Sequence, residues 1–117
     1  MSVEKISLND EFAGYTGTEE YFKHLFGIVY TDGVHAVAEK YKAYWLIDAV
    51  ASYQGKMKKE PFQLWVMTAE NNKGVLEMRT DSDQPVLVSQ EIPYTDFPPG
   101  ELKLYLCDGV LLLPSEY

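Results

Sequence analysis

The sequence predicts a single α+β domain over residues 1–117, in which two to three N-terminal helices pack on a C-terminal antiparallel sheet of four to five strands. Apolar residues recur with a helical period up to about residue 55 and with a period of two after Pro61. Turn signals then separate the later segments, as they do in consecutive hairpins. We therefore expect the helical part at about 16–55 and the sheet at about 61–114, around one core.

Three helices are predicted. The first is short, at about 19–25, with Thr18 as its N-cap. The second begins at Thr31 or Asp32 and carries one apolar stripe, formed by Val34, Val37, Ala38 and Tyr41. The third runs from about 43 to 54 and is apolar nearly all round, which is typical of a central helix. Gly55 is its predicted C-terminal cap.

Five strands are predicted after the helices, at about 62–69, 75–80, 86–92, 102–107 and 110–113. Asp108-Gly109 is typical of a type I′ hairpin turn. The first strand is apolar on both of its rows, and this leaves its orientation open. If Phe62, Leu64 and Val66 face the helices, an exposed apolar patch forms opposite, made of Trp65, Met67 and Met78. The alternative is that a further segment covers that row.

Acidic residues outnumber basic ones, 18 Asp and Glu against 10 Lys and Arg, which gives a net charge of −8. This excess argues against direct binding to nucleic acid, whose phosphates attract cations. The same charge would be repelled by anionic lipid, and no apolar run approaches the length of a membrane span. The charge keeps a small protein soluble, or it meets a basic protein partner.

Cys107 is the single cysteine, so an intrachain disulfide is excluded and a reducing cytoplasm is suitable. A structural zinc site normally needs four Cys or His ligands, and the chain has two histidines, His24 and His35. Neither a dinucleotide-binding glycine motif nor a phosphate-binding loop is present. We expect no metal and no cofactor. The first residues lack the pattern of a signal peptide, so a cytoplasmic location is predicted.

Asp48 is the candidate for chemistry, because it is an acid inside the apolar third helix. Trp45 and Ser52 share its helical face. Buried, such a carboxyl would have a raised pKa, as a general acid or base requires. The favoured interpretation is a structural carboxylate with a hydrogen-bond partner, since nothing in the sequence brings a histidine or a nucleophile to it.

Several segments together resemble a family of small uncharacterised bacterial proteins, found in scattered bacteria and on mobile elements: 30–34, 43–52, 62–65, 90–98 and 104–117. The resemblance covers nearly the whole chain. It implies a stand-alone domain of unknown function, with no catalytic residues to carry over.

Two hypotheses follow. The first is a non-enzymatic module that binds another protein through an acidic, aromatic-rich surface, with a homodimer or an acidic inhibitor of a nucleic-acid-binding protein as particular forms. The second is a small ligand-binding or hydrolase-like protein in which three carboxylates converge around Asp48. The candidate site residues for both are Asp32, Asp48, Asp96, Trp45, Trp65 and Tyr94.

Overall fold

The structure, a computed structural model, describes residues 7–24, 27–57 and 60–117. It begins with a short 3-10 helix, Leu8–Phe12, and ends with another, Pro114–Glu116. Between them lie seven strands and three helices, in this order: β1 Tyr21–Lys23, β2 Val29–Thr31, α1 Asp32–Tyr41, α2 Tyr44–Ser52, α3 Gln54–Met57, β3 Phe62–Glu70, β4 Lys73–Arg79, β5 Val88–Ile92, β6 Gly100–Cys107 and β7 Val110–Leu112.

All seven strands form one sheet, in the order β1-β2-β7-β6-β3-β4-β5. The pair β2 and β7 is parallel, and every other pair is antiparallel. The predicted arrangement is therefore wrong. The sheet is mixed and has seven strands, and the helices lie in the middle of the chain rather than at its N-terminus. The α+β content of the prediction holds.

The predicted first helix, 19–25, is replaced by β1, apart from residue 25, which lies outside the described residues. The local capping signal at Thr18 was outweighed by pairing that is distant in sequence. β1 pairs with β2, and β2 pairs with β7, about eighty residues further along the chain. β-Branched and aromatic residues such as Val29 and Tyr30 suit a strand within such a sheet.

The second and third predicted helices are confirmed as α1 and α2. Thr31 is the N-cap of α1, and its Oγ1 accepts a hydrogen bond from the Val34 amide at 3.3 Å. Lys42, with a φ of 54°, separates the two helices. Gly55 does not end the helical region, because it lies within α3. Among the described residues, no helix combines the length and the apolar content that crossing a membrane requires.

The hairpin turns follow the predicted chemistry. Asn71 and Asn72 join β3 to β4 with φ angles of 54° and 62°. Asp108 and Gly109 join β6 to β7 with φ angles of 50° and 83°. Positive φ at both central positions is the requirement of a type I′ turn, and Asn, Asp and Gly adopt it at low cost.

The orientation of β3 is the opposite of the one that would expose Trp65, Met67 and Met78. Trp65 is 0% exposed, as is Met78, and Met67 is 1% exposed; these residues form the core with the helices. The polar groups in this core are paired: the Trp65 indole Nε1 donates to Oε1 of Gln63 at 2.9 Å, and the Gln63 amide exchanges two hydrogen bonds with Gln54. The row with Phe62, Leu64 and Val66 faces outward.

The end of the described chain closes onto the start of α1. The Glu116 carboxylate accepts hydrogen bonds from the Thr31 hydroxyl at 2.7 Å, the Leu113 amide at 3.0 Å and the Gly33 amide at 3.3 Å. A side chain at position 33 would collide with this carboxylate, because a Cβ there would lie 2.6 Å from Glu116 Oε1. A larger residue at position 33 would therefore displace the Glu116 carboxylate and disturb its hydrogen bonds.

Candidate functional site

The three predicted carboxylates have separate local partners. Asp48 lies exposed on α2, with Oδ1 2.6 Å from Nε2 of His24. Asp32 accepts from the Gly33 amide at 3.1 Å, and Asp96 accepts from the Tyr94 hydroxyl at 2.9 Å. Within residues 7–24, 27–57 and 60–117, no group of three or more His, Cys, Asp or Glu side chains is placed to hold a metal ion. The structure gives no contact that joins these carboxylates into one site.

The three predicted aromatic residues also lie in different environments. Trp65 is in the core and cannot meet a partner. Trp45 is partly buried and packs edge to face on Phe97, with ring centroids 6.2 Å apart. Tyr94 is 65% exposed, and its hydrogen bond to Asp96 raises the pKa of its hydroxyl. Its phenol therefore stays neutral at ordinary pH.

Both histidines meet the same face of α2, where Tyr44 and Asp48 are one turn apart. Nε2 of His35 is 3.0 Å from the Tyr44 hydroxyl, which also contacts the Glu39 carboxylate. The contact with Glu39, more than burial, raises the pKa of Tyr44 to about 12. Since a phenol has one proton and here donates it to Glu39, its oxygen accepts from the His35 Nε2–H.

These contacts tie elements together rather than activate a nucleophile. The Tyr44 proton points to a carboxylate, and the Ser52 hydroxyl donates to the backbone carbonyl of Ala49 at 2.7 Å. A serine activated for attack would instead donate to a histidine. The His24 pair with Asp48 links the end of β1 to α2, while Phe22 stacks on His35 at 4.4 Å and links β1 to α1.

A cavity of about 320 Å³ lies beside the buried amide of Gln63 and the partly buried Gln54. Glu60 and Asp108 are among the residues that line it. The Gln63 amide is fully engaged: its oxygen accepts from Gln54 and Trp65, and its nitrogen donates to Gln54 and to the Glu60 carbonyl. These bonds explain how a buried glutamine is tolerated, and they direct its polar atoms to the protein rather than to a ligand.

The side of the sheet opposite the helices, here called the outer face, is the strongest candidate for a functional surface. Leu112 and Tyr117 belong to it, together with the outward side chains of β3, β4 and β6: Phe62, Leu64, Val66, Thr68, Glu70, Lys73, Val75, Glu77, Arg79, Glu101, Lys103, Tyr105 and Cys107. An antiparallel sheet with one solvated face normally alternates apolar and polar residues. Here the outward row of β3 is apolar.

Three aromatic rings contact one another at one end of the outer face. Phe62 and Tyr105 are cross-strand neighbours whose ring centroids are 5.1 Å apart. Tyr117 packs edge to face on both, at 5.8 Å from Phe62 and 5.3 Å from Tyr105. Tyr117 is nevertheless 72% exposed. This aromatic cluster offers large rigid side chains to a partner, and such side chains dominate protein interfaces.

A shallow depression of about 230 Å³ continues the outer face along β3. Its floor is the outward row of β3, and its two sides are charged. Glu77 and Arg79 line the β4 side with their charged groups 3.8 Å apart. Glu101 and Lys103 line the β6 side at 3.9 Å. An apolar strip bordered by charges has the general anatomy of a protein-binding surface.

The outer face was not predicted from the sequence as a site, because both rows of β3 are apolar. The sequence signal was available: a strand that is apolar on both rows is typical of one that is covered on both faces. A surface patch was predicted only for the case in which Phe62, Leu64 and Val66 face the helices, so their own contribution to a surface was overlooked.

A comparison with family models matches residues 6–117 to a family whose description is Family of unknown function (DUF6876). Comparisons with curated proteins and with solved structures find no match. The family description assigns no activity or site residue, and the bacterial and mobile-element association remains a prediction. Because the match spans nearly the whole sequence, the predicted resemblance is confirmed, and the chain belongs to this family of unknown function.

Proposed function

We propose that this domain is a non-enzymatic protein-binding module and that the outer face of its sheet is the binding surface. The observation that supports this proposal is the apolar outward row of β3, formed by Phe62, Leu64 and Val66, on the side opposite the helices. Removing such residues from water favours association by about 25 cal/mol for each Å² buried. Leu64 is already buried within this row, and a partner would cover Phe62 and Val66, which are partly exposed.

The aromatic cluster is the proposed anchor of binding. Tyrosine is enriched among the residues that contribute most to interface energy, and those residues lie close together. Tyr105 and Tyr117 are tyrosines that lie close together, in contact with Phe62, and Tyr117 is exposed enough to be enclosed by a partner. We therefore expect Tyr117→Ala to weaken binding more than it weakens folding.

A cytoplasmic location is part of the proposal, supported by the single cysteine, Cys107. The net charge of −8 supports a protein partner rather than nucleic acid or an anionic membrane. An accessory or inhibitory role, on a mobile element or elsewhere, is consistent with such a module and remains a proposal.

In-cell photo-cross-linking tests the binding surface. A photo-reactive benzoylphenylalanine replaces Thr68, which is partly exposed at the end of the apolar strip, or Ser52, which is exposed on α2 as the control. We expect a discrete protein adduct from position 68 and none from position 52. Tyr117→Ala in the same background should diminish the adduct. Equal labelling at both positions, or no adduct from position 68, would contradict the proposal.

A small-ligand or hydrolase-like site is the second candidate, supported by the 2.6 Å contact of His24 with Asp48. In this proposal the Asp48 carboxylate orients the imidazole, which then acts as a general base toward water. A panel of chromogenic esters and phosphoesters tests it with the wild type and Asp48→Asn. Turnover that falls in the variant supports this alternative, and rates equal to buffer for the wild type argue against it.

A further inference from the structure

The charges of the outer face differ from those of the whole chain. The chain carries −8 in total, yet the six charged side chains on the central strands β3, β4 and β6 sum to zero: Glu70, Lys73, Glu77, Arg79, Glu101 and Lys103. A basic partner would bind more favourably to a face with an excess of acidic residues. A locally neutral surface instead tolerates contact with another copy of the same acidic chain. This inference rests on the proposed function, because it names the partner of the same surface.

The strand register fixes where these charges lie. Val66 on β3 pairs with Glu77 on β4 and with Lys103 on β6, so an acid and a base flank it at one level of the sheet. One step along the strand, Leu64 lies between Arg79 and Tyr105. The two sides of the apolar strip are therefore different, and at these two levels one side offers what the other can bind. At the Thr68 level the two sides are Val75 and Glu101, which do not form such a pair.

A twofold axis that runs parallel to β3, above the strip, exchanges these two sides. The second copy then places its Lys103 over Glu77 and its Glu77 over Lys103, which gives two equivalent ion pairs. At the next level, its Tyr105 ring lies over Arg79, an arrangement that favours a cation–π contact. On the axis, the partly exposed Val66 meets its own equivalent, while Leu64 is already buried within each chain.

The other face-to-face arrangement is unfavourable. A twofold axis above the sheet, parallel to its plane but perpendicular to β3 and passing over Val66, brings Glu77 over Glu77 and Lys103 over Lys103. Like charges opposed across an interface are costly and suppress that mode of docking. The charge pattern thus selects one orientation of two.

We propose that the occupant of the outer face is a second copy of this chain. The two sheets pack face to face about 10 Å apart with their β3 strands running in the same direction, as in aligned sheet packing. Each copy contributes the apolar strip, and Glu77 of one pairs with Lys103 of the other. The aromatic cluster lies at one end of the contact on both copies.

Variants that reverse the charges of Glu77 and Lys103 test this assignment in solution. Sedimentation equilibrium of the wild-type chain should give about twice the monomer mass of 13.4 kDa at micromolar concentration. Glu77→Lys and Lys103→Glu should each weaken the dimer by about tenfold or more, because each opposes like charges twice. The double variant, Glu77→Lys with Lys103→Glu, restores opposite charges and should recover most of the wild-type affinity.

Matched controls separate this effect from net charge and from folding. Glu19→Lys and Lys56→Glu make the same changes in charge at exposed positions outside the outer face, and we expect them to leave the dimer unchanged. Thermal unfolding of every variant checks the fold, since the intrachain pair between Glu77 and Arg79 contributes at most about 1 kcal/mol.

Three results would overturn the assignment: a wild-type chain that is monomeric throughout, single variants that associate as tightly as the wild type, or a double variant no better than the single ones. These outcomes are distinct from failure of the proposed function. An adduct from position 68 whose mass matches a different protein would retain the binding surface and reject the second copy. The absence of any adduct would reject the surface itself.

Discussion

The two rows of β3 occupy opposite sides of one strand, and they differ in how completely they are covered. On the inner side, Trp65 and Met67 are buried against the helices, and the polar atoms of Gln63 are paired. On the outer side, Phe62 and Val66 are as apolar in character but remain partly exposed. The composition of the two rows is similar, so composition does not distinguish core from surface here. The difference indicates that the inner row maintains the fold and the outer row is available for association.

The largest expected effect on stability comes from truncating a side chain of the inner row. Trp65→Ala should lower the free energy of unfolding by about 3–5 kcal/mol, because it removes a fully buried indole and leaves a cavity. Phe62→Ala on the outer row should cost roughly 1–2 kcal/mol, since that ring is only partly buried. Urea unfolding of both variants measures the difference. Equal losses would contradict the distinction between the two rows.

A smaller loss of stability is expected when Gln63, the polar residue of the inner row, is replaced. Gln63→Leu removes the acceptor of the Trp65 indole and both amide bonds to Gln54, so buried polar groups lose their partners. The expected loss is about 1–3 kcal/mol for each group left unpaired. Thr68→Val is the control on the outer row, and its unfolding free energy should stay close to that of the wild type. A Gln63→Leu variant as stable as the wild type would show that the network is dispensable.

The smallest expected effect is the loss of the contribution of Tyr44 to stability at high pH. The folded state raises the pKa of Tyr44 above its ordinary value of 10.0, to about 12, chiefly through the contact with Glu39. Between those two values the unfolded chain has lost the proton and the folded chain keeps it, so this contribution to stability is complete below pH 10 and declines toward pH 12. Thermal unfolding of the wild type and Tyr44→Phe between pH 8 and pH 12 measures it.

The stability gap between those two proteins should narrow as the pH rises. An absorbance titration of the tyrosinates provides a second check, because Tyr44→Phe should lack a transition near pH 12. A gap that stays constant over this range would indicate that Tyr44 has the same pKa in both states.

Several local signals predicted local structure correctly, whereas those at Thr18 and Gly55 did not. The Thr31 cap, the apolar stripe of α1 and the Asp108-Gly109 turn each depend on neighbours within a few residues, and all three are present. What the sequence could not predict is pairing between distant segments. β2 is only three residues long, and its place in the sheet is fixed by β7. No local pattern distinguishes such a strand from the start of a helix.

The sequence predicted an interaction surface, but it did not predict where on the fold that surface lies. Aromatic surplus and an apolar strand were visible in the sequence, and they indicated an interaction surface. The choice of face was not determined, because a shift of one residue moves every side chain of a strand to the other side. The partner of Asp48 also had to come from the structure, since His24 reaches it from a separate element.

The contact between Glu116 and the start of α1 has a consequence for synthesis of the chain. Thr31 and Gly33 are made more than eighty residues before the carboxylate that binds them, and β2 is made long before β7, which holds it in the sheet. The meander of β3, β4 and β5 relies on nearer partners. We therefore expect a nascent chain to assemble from its middle outward, with the N-terminal strands joining only after residues 110–116 leave the ribosome.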